Sequence, residues 1–137
     1  MDQPEVIAVY GTLRRGDRNH HLLAGCAFLG SASLDGALYD VPTTPYRPYP
    51  YPALVTAEMG RVFVELYRLA DPALIGPLDQ LELYDPVDEA GSQYLRRVVP
   101  VRGGPVPTAI VYVYAGPKSE LGERIESGDW AAFVRGR

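Results

Sequence analysis

Strand-like segments outnumber helical segments in this chain, and the two kinds do not alternate. Apolar runs or period-two alternation predict strands within residues 5–9, 27–39, 53–57, 61–69, 94–101 and 108–114. A longer helix is predicted from Asp71, its expected N-cap, toward Tyr84, and a short helical segment is predicted at residues 19–26. Another short helix is predicted after Asp129, which is its expected N-cap. A doubly wound parallel sheet would place a helix between successive strands. The order therefore predicts an α+β fold, with a mixed, mainly antiparallel sheet and a few packed helices.

Glycines indicate how some of these strands connect. Met59-Gly60 lies between two strand-like runs, so residues 53–57 and 61–69 are expected to form a hairpin. Gly30 and Gly36 interrupt the earlier strand-like region, where they predict bends or bulges. The sheet is therefore expected to curl.

The segment from Pro42 to Pro52 has an unusual composition. It contains five prolines interleaved with Tyr46, Tyr49 and Tyr51. Proline has no backbone N–H to donate, so this segment is not expected to form a central strand. We favour a stiff surface loop, and the alternative is an aromatic lip over a pocket.

Length and composition limit the class of protein. A chain of 137 residues fits one domain, expected to span residues 1–137, and its 47% hydrophobic and 22% charged content is typical of globular proteins. The net charge of −4 argues against nucleic acid or an anionic membrane as partner, so a small molecule is expected. The single cysteine, and the lack of an export signal or membrane-length apolar run, favour the cytoplasm.

The first strand ends in Tyr10-Gly11-Thr12-Leu13. Gly11 and Gly16 have the spacing of a phosphate-binding loop, but Asp17-Arg18 stands where lysine followed by serine or threonine would contact phosphate and magnesium. The phosphate interpretation therefore fails. Backbone N–H groups at such a strand end can still hold a carboxylate or an oxyanion, and an ordinary turn is the alternative.

The residues available for acid–base chemistry are few. His20 and His21 are adjacent, so they do not form a chelating pair on one helix face, and no histidine–cysteine cluster exists. No histidine lies near Cys26 in a pattern that would activate it as a nucleophile. No zinc site is therefore expected, and general acid–base chemistry would depend on a carboxylate.

Glu82 is the carboxylate whose position is most informative. Helical periodicity places Leu74, Leu78 and Leu81 in one stripe, Glu82 at the edge of that stripe, and Asp79 farther round toward solvent. A half-buried glutamate at a helix C-terminus is disfavoured in its charged form by desolvation and by the helix dipole, so both effects would raise its pKa. That would suit a proton shuttle, and the alternative is an ordinary glutamate at a helix end.

Taken together, several motifs resemble the gamma-glutamylcyclotransferase-like family. They are Tyr10-Gly11-Thr12-Leu13-Arg14-Arg15-Gly16 with Asn19-His20, Leu78-Asp79-Gln80-Leu81-Glu82, Tyr94-Leu95-Arg96-Arg97, Tyr112 to Tyr114 and Ser127-Gly128-Asp129-Trp130. The first motif is most similar to the gamma-glutamylamine cyclotransferase branch. The resemblance extends from about Val6 to Trp130.

This resemblance implies a small mixed β-barrel with flanking helices and a reaction without metal or cofactor. The α-amine of a gamma-glutamyl amine or dipeptide would attack its own γ-carbonyl, form 5-oxoproline and expel an amine or amino acid. Glu82 would be the general acid and base. Tyr10, Gly11, Thr12 and Leu13 would bind the glutamyl end of the substrate. A monomer and a homodimer are both compatible with this resemblance.

Two features depart from the family pattern. Leu83 stands where many members have glycine, so the backbone after Glu82 is expected to differ, and the Pro/Tyr segment matches no family pattern and is expected to shape the pocket rim. Lysine-type or other amine leaving groups are favoured over glutathione. The alternatives are a non-catalytic binding module of the same fold and a small-amide hydrolase that activates water through Glu82.

Overall fold

The computed structural model describes residues 5–42 and 48–136, so Tyr46 and its neighbours in the Pro/Tyr segment lie outside the described residues. The fold is α+β. Its strands are β1 (Val6–Val9), β2 (Ala27–Asp35), β3 (Ala37–Val41), β4 (Tyr51–Val55), β5 (Arg61–Arg68), β6 (Tyr94–Pro100) and β7 (Thr108–Tyr114). Its α-helices are α1 (Ile75–Leu81) and α2 (Trp130–Arg135), and short 3-10 helices span His20–Leu23, Pro72–Leu74, Glu89–Gly91 and Lys118–Glu120.

Five of the strands form one mixed sheet in the order β2-β5-β1-β7-β6. The central strand β1 runs parallel to β7 and antiparallel to β5, and the two outer pairs are antiparallel. The register of β2 shifts between Phe28 and Gly30, which confirms the predicted bulge. The mixed, mainly antiparallel sheet is therefore as predicted.

The five-stranded sheet curls until its two edges meet at one point. Ser33 of β2 and Arg102, just after β6, exchange backbone hydrogen bonds of 3.0 and 2.9 Å. Within the described ranges this bridge is the only pairing between the two edges. The barrel implied by the resemblance is thus a strongly curled sheet that does not close.

The predicted hairpin between residues 53–57 and 61–69 is wrong. β4 pairs with β3 in a separate two-stranded sheet, with Tyr39 opposite Ala53. β5 instead lies between β1 and β2, so both of its hydrogen-bonding edges are already occupied. Strands that are neighbours in sequence often pair, but here the long strand β2 occupies the edge of β5 that β4 would need for a hairpin.

The surface-loop interpretation of the Pro/Tyr segment is wrong at its C-terminal end. Tyr51 and Pro52 begin β4, and both are buried. Pro52 lies opposite Asp40 in the two-stranded sheet. Among the described strands, β4 pairs only with β3, so a proline without an N–H is tolerated there. None of the described residues of this segment lies in a central strand, as expected.

Apolar side chains form two clusters. One contains Ile7 and Val9 of β1 with Leu78 of α1. The other contains Val62, Val64 and Leu66 of β5 with Trp130 of α2, as the predicted alternation and the predicted terminal helix require. Neither α-helix in the described residues is long and apolar enough to cross a membrane.

The start of the helical segment follows the predicted capping pattern. The Asp71 carboxylate accepts a hydrogen bond of 2.9 Å from the backbone N–H of Ala73. The chain then forms one 3-10 turn and restarts as α1 at Ile75. Pro77 falls in the first turn of α1, where a backbone N–H has no helical acceptor, so the proline is accommodated there.

The end of α1 is a Schellman motif, which sets the direction of the chain after Glu82. Glu82 is the C-cap, the N–H of Leu83 donates to Gln80 (3.2 Å), and the N–H of Tyr84 donates to Asp79 (2.9 Å). Leu83 has a φ of 54°, in the left-handed region that favours glycine. Although leucine replaces the family glycine, the backbone still adopts a conformation suited to glycine.

Replacing Leu83 with glycine is expected to stabilise the protein. The left-handed conformation penalises a β-carbon, and Leu83 is partly exposed, so Leu83→Gly should raise the free energy of unfolding by about 0.5–1 kcal/mol. Denaturant unfolding measures this change. Gln80→Gly, in the right-handed part of the same helix, is the control and should destabilise by about 1 kcal/mol. Equal destabilisation by both variants would contradict the proposed strain at Leu83.

Candidate active site

A cavity of about 30 Å³ lies at the C-terminal end of β1. Its lining residues are Ala8, Val9, Tyr10, Gly11, Thr12, Leu13, Tyr51, Pro52, Glu82 and Tyr112. The structure therefore brings all five residues predicted for the site, Tyr10 to Leu13 and Glu82, to one cavity. Its volume has room for one or two water molecules, so in this conformation it admits small polar groups.

The 10–13 loop supplies hydrogen-bond donors to this region. The N–H of Arg14 donates to the carbonyl of Gly11 at 3.0 Å and closes a turn. Within the part of the chain that the structure describes, the backbone N–H groups of Thr12 and Leu13 have no acceptor, although these residues are only 7% and 4% exposed. Buried N–H groups normally have a partner, so the loop is suited to a carboxylate or an oxyanion.

A buried ion network anchors the loop. Arg14 Nη1 donates to Asp129 Oδ1 at 2.7 Å, and Arg14 Nε lies 3.4 Å from Glu65 Oε2. The other oxygen of Glu65 accepts the backbone N–H of Arg15 at 2.8 Å. The loop is thereby tied to β5 and to the start of α2.

Asp129 has two functions in this network. It caps α2 by accepting from the N–H groups of Ala131 and Ala132, as predicted, and it also pairs with Arg14. Burial alone would raise the pKa of Asp129, but the hydrogen bond from Arg14 and those from the helix hold its pKa below the usual value. The carboxylate therefore remains charged against Arg14. The sequence pattern showed the cap but not the arginine partner.

Gly11 permits a close contact between the loop and β4. A β-carbon at Gly11 would lie 2.5 Å from Pro52 Cγ and 2.8 Å from Pro52 Cδ. The Asn19 side chain links the two segments as well, because its amide donates to Thr12 Oγ1 (2.9 Å) and to the Tyr49 hydroxyl (3.1 Å). The end of the Pro/Tyr segment thus forms one wall of the cavity, which agrees with the rim role expected for it.

Glu82 lines the same cavity as the 10–13 loop. It is half-buried, as predicted, and it ends α1. Its position depends on α1 and on the Schellman motif that follows. The lining of the cavity therefore includes both the loop that carries the backbone donors and a carboxylate.

The prediction that Asp79 faces solvent is wrong. Asp79 is 8% exposed, its Oδ1 accepts a hydrogen bond of 2.6 Å from the Tyr112 hydroxyl, and its Oδ2 pairs with Arg96. Arg96 and Tyr112 are directly opposite each other on β6 and β7. These two strands cover the helix face that periodicity alone assigns to solvent.

Tyr112 is a cavity residue that sequence reasoning missed as part of the site. Its hydroxyl donates to Asp79, and burial, this hydrogen bond and the charges of Asp79 and Glu82 keep its pKa far above the usual value. Tyr112 is therefore a phenol and not a phenolate. Its place in the closing strand motif was visible in the sequence, but its partner Asp79 was not.

The histidines support the loop and do not form a metal site. His20 Nδ1 lies 2.9 Å from the Leu13 carbonyl oxygen, and His21 Nδ1 lies 3.2 Å from that of Arg18. Across residues 5–42 and 48–136, no group of three or more histidine, cysteine, aspartate or glutamate residues is placed to hold a metal ion.

Comparison with known proteins identifies relatives over nearly the whole chain. The family model described as gamma-glutamyl cyclotransferase, AIG2-like matches residues 7–132. The gamma-glutamylcyclotransferase family protein YtfP of Escherichia coli K12 is 35% identical over 124 residues, which cover 90% of this chain and 94% of that protein.

Solved structures show the same fold. The crystal structure of an uncharacterized protein from Pyrococcus horikoshii has a TM-score of 0.68 at 26% identity, over 96% of this chain and 94% of that one. The crystal structure of an AIG2-like protein from Mus musculus has a TM-score of 0.61 at 23% identity, over 85% of this chain and 81% of that one, and shows likeness of fold alone. From the family match and the similarity to YtfP, the chain belongs to the AIG2-like gamma-glutamyl cyclotransferase family.

Proposed function

We propose that this protein is a gamma-glutamyl cyclotransferase that converts a gamma-glutamyl amine or dipeptide into 5-oxoproline and a free amine or amino acid. One observation supports this most directly. A single cavity is lined both by the 10–13 loop, whose Thr12 and Leu13 N–H groups have no acceptor among the described residues, and by the half-buried carboxylate of Glu82. Family membership indicates the class of reaction.

An intramolecular cyclisation needs few catalytic groups. The nucleophile is the substrate's own α-amine, so the enzyme must fold the substrate, move protons and stabilise the charge that develops on the γ-carbonyl oxygen. The loop donors suit the α-carboxylate or the developing oxyanion. Glu82 suits the proton transfers. The site thus contains the groups that this reaction requires from a protein.

Glu82 carries protons from the α-nitrogen of the substrate to the leaving nitrogen. Its carboxylate takes a proton from the α-ammonium group, and the amine nitrogen then forms a bond to the γ-carbon. The bond from that carbon to the leaving nitrogen breaks as Glu82 returns the proton. Glu82, a carboxylate again, then takes a second proton from the ring nitrogen and passes it to the departing amine. One of the three ammonium protons thus remains on the lactam nitrogen, and the amine departs as an ammonium ion. No water is consumed.

The leaving group is expected to lie outside the small cavity. The similarity of the 10–16 motif to the gamma-glutamylamine branch favours lysine-type and other amines over glutathione. A panel of gamma-glutamyl amines, dipeptides and glutathione, with 5-oxoproline quantified, would rank the leaving groups.

Replacing Glu82 by glutamine is expected to abolish most turnover. Glutamine cannot shuttle a proton, so kcat for 5-oxoproline formation by Glu82→Gln should fall by about 100-fold or more. Glu126→Gln is a matched control, because the Glu126 side chain is 83% exposed and lies outside the cavity. Equal rates of 5-oxoproline formation by Glu82→Gln and the unmodified protein would rule out Glu82 as the proton shuttle.

Adding a single methyl group at Gly11 is expected to disrupt the site. The new β-carbon would collide with Pro52, so the 10–13 loop or β4 must shift, and Gly11→Ala should reduce kcat/KM by about 100-fold. Gly76→Ala is the control, since a β-carbon at Gly76 meets nothing within 4 Å. Steady-state kinetics and thermal unfolding of both variants separate lost activity from lost stability. Wild-type kinetics in folded Gly11→Ala would contradict the close packing described above.

A further inference from the structure

The hydrogen of the Tyr112 hydroxyl group already forms a hydrogen bond within the protein. Its O–H donates to Asp79 Oδ1 at 2.6 Å, and an ionised carboxylate can only accept hydrogen bonds. Arg96 pairs with the second oxygen of Asp79, and a guanidinium group supplies only hydrogen-bond donors. The direction of the Tyr112 hydroxyl is therefore set by groups on α1 and β6.

A phenol whose hydrogen is engaged in this way offers only lone pairs to other partners. Tyr112 lines the cavity together with Glu82, and the charge of Glu82 acts on it electrostatically. Both groups can accept hydrogen bonds from a cation, whereas the 10–13 loop supplies backbone donors for an anion. The cavity is thus polarised, with acceptors contributed by α1 and β7 and donors by the loop after β1.

We propose that the Tyr112 oxygen accepts a hydrogen bond from the substrate's α-ammonium group, and that Asp79 and Arg96 are positioning residues that keep the Tyr112 hydroxyl hydrogen away from it. This inference rests on the proposed function and adds the orientation of the substrate. The α-carboxylate then lies toward the 10–13 loop and the α-nitrogen between Tyr112 and Glu82. Glu82 takes the proton from the α-ammonium group. Tyr112 transfers no proton and only holds the α-nitrogen in place.

The inference predicts an unusual ranking of variants. Tyr112→Phe removes the acceptor and should raise KM by about tenfold. Asp79→Asn should be more harmful still, because an asparagine amide can donate to the Tyr112 oxygen and turn the hydroxyl hydrogen toward the ammonium group. Adding Asp79→Asn to Tyr112→Phe should change KM little further, because no hydroxyl remains to be misdirected. A merely structural Asp79 would raise KM by the same factor whether or not the hydroxyl is present.

Binding of two non-reacting ligands tests the same inference without turnover. L-Glutamate has the α-ammonium group, and glutarate has both carboxylates but no amine. Tyr112→Phe should weaken L-glutamate binding by about tenfold and change glutarate binding by less than about twofold. Tyr114→Phe is the matched control, because its hydroxyl oxygen lies 2.9 Å from both the Pro117 carbonyl oxygen and Glu120 Oε1, and Tyr114 is not among the lining residues of the cavity.

The outcomes separate this inference from the proposed function. Equal weakening of both ligands by Tyr112→Phe, or an unchanged affinity for L-glutamate, would overturn the ammonium site even if the unmodified protein makes 5-oxoproline. Selective loss of L-glutamate binding in a protein that makes no 5-oxoproline would support the ammonium site and refute the cyclotransferase. A protein that neither forms 5-oxoproline nor binds L-glutamate would refute both.

Discussion

The buried guanidinium group of Arg14 is the contact on which the geometry of the site depends most. It joins the segment after β1 to Glu65 on β5 and to Asp129 at the start of α2, and its side chain is only 10% exposed. Loss of one partner would leave a buried charge uncompensated, which is strongly destabilising. With the chain fixed at Arg14 and Arg15, the preceding turn has little freedom. The N–H groups of the 10–13 loop are therefore held in position before a ligand arrives.

The rest of the site is assembled around that fixed loop from distant parts of the chain. β4 packs onto it through the contact of Pro52 with Gly11, and α1 presents Glu82 at its C-terminal end. The Tyr10 hydroxyl donates to the Tyr112 carbonyl at 2.6 Å and links the loop to β7. Under the proposed function, a cavity lined by both donors and acceptors suits a substrate with a carboxylate and an ammonium group on one carbon.

The sequence predicted local features better than long-range ones. Strand alternation, the caps at Asp71 and Asp129 and the position of Glu82 all depend on nearby residues, and the structure agrees with them. The hairpin prediction failed because β5 pairs with β1 and β2, which lie far earlier in the chain. The prediction that Asp79 faces solvent failed for a similar reason, since its partner Tyr112 lies 33 residues away. Periodicity assigns a polar residue to solvent unless the partner that permits its burial is known.

Whether oxygen from water enters the product during turnover tests the central claim most directly. The unmodified protein would be incubated with a gamma-glutamyl amine in water enriched in heavy oxygen, and the products would be analysed by mass spectrometry. Cyclisation through the substrate's α-amine uses no water, so the account predicts 5-oxoproline without heavy oxygen. Glutamate with heavy oxygen in its γ-carboxylate would show a water-dependent hydrolase and would contradict the account.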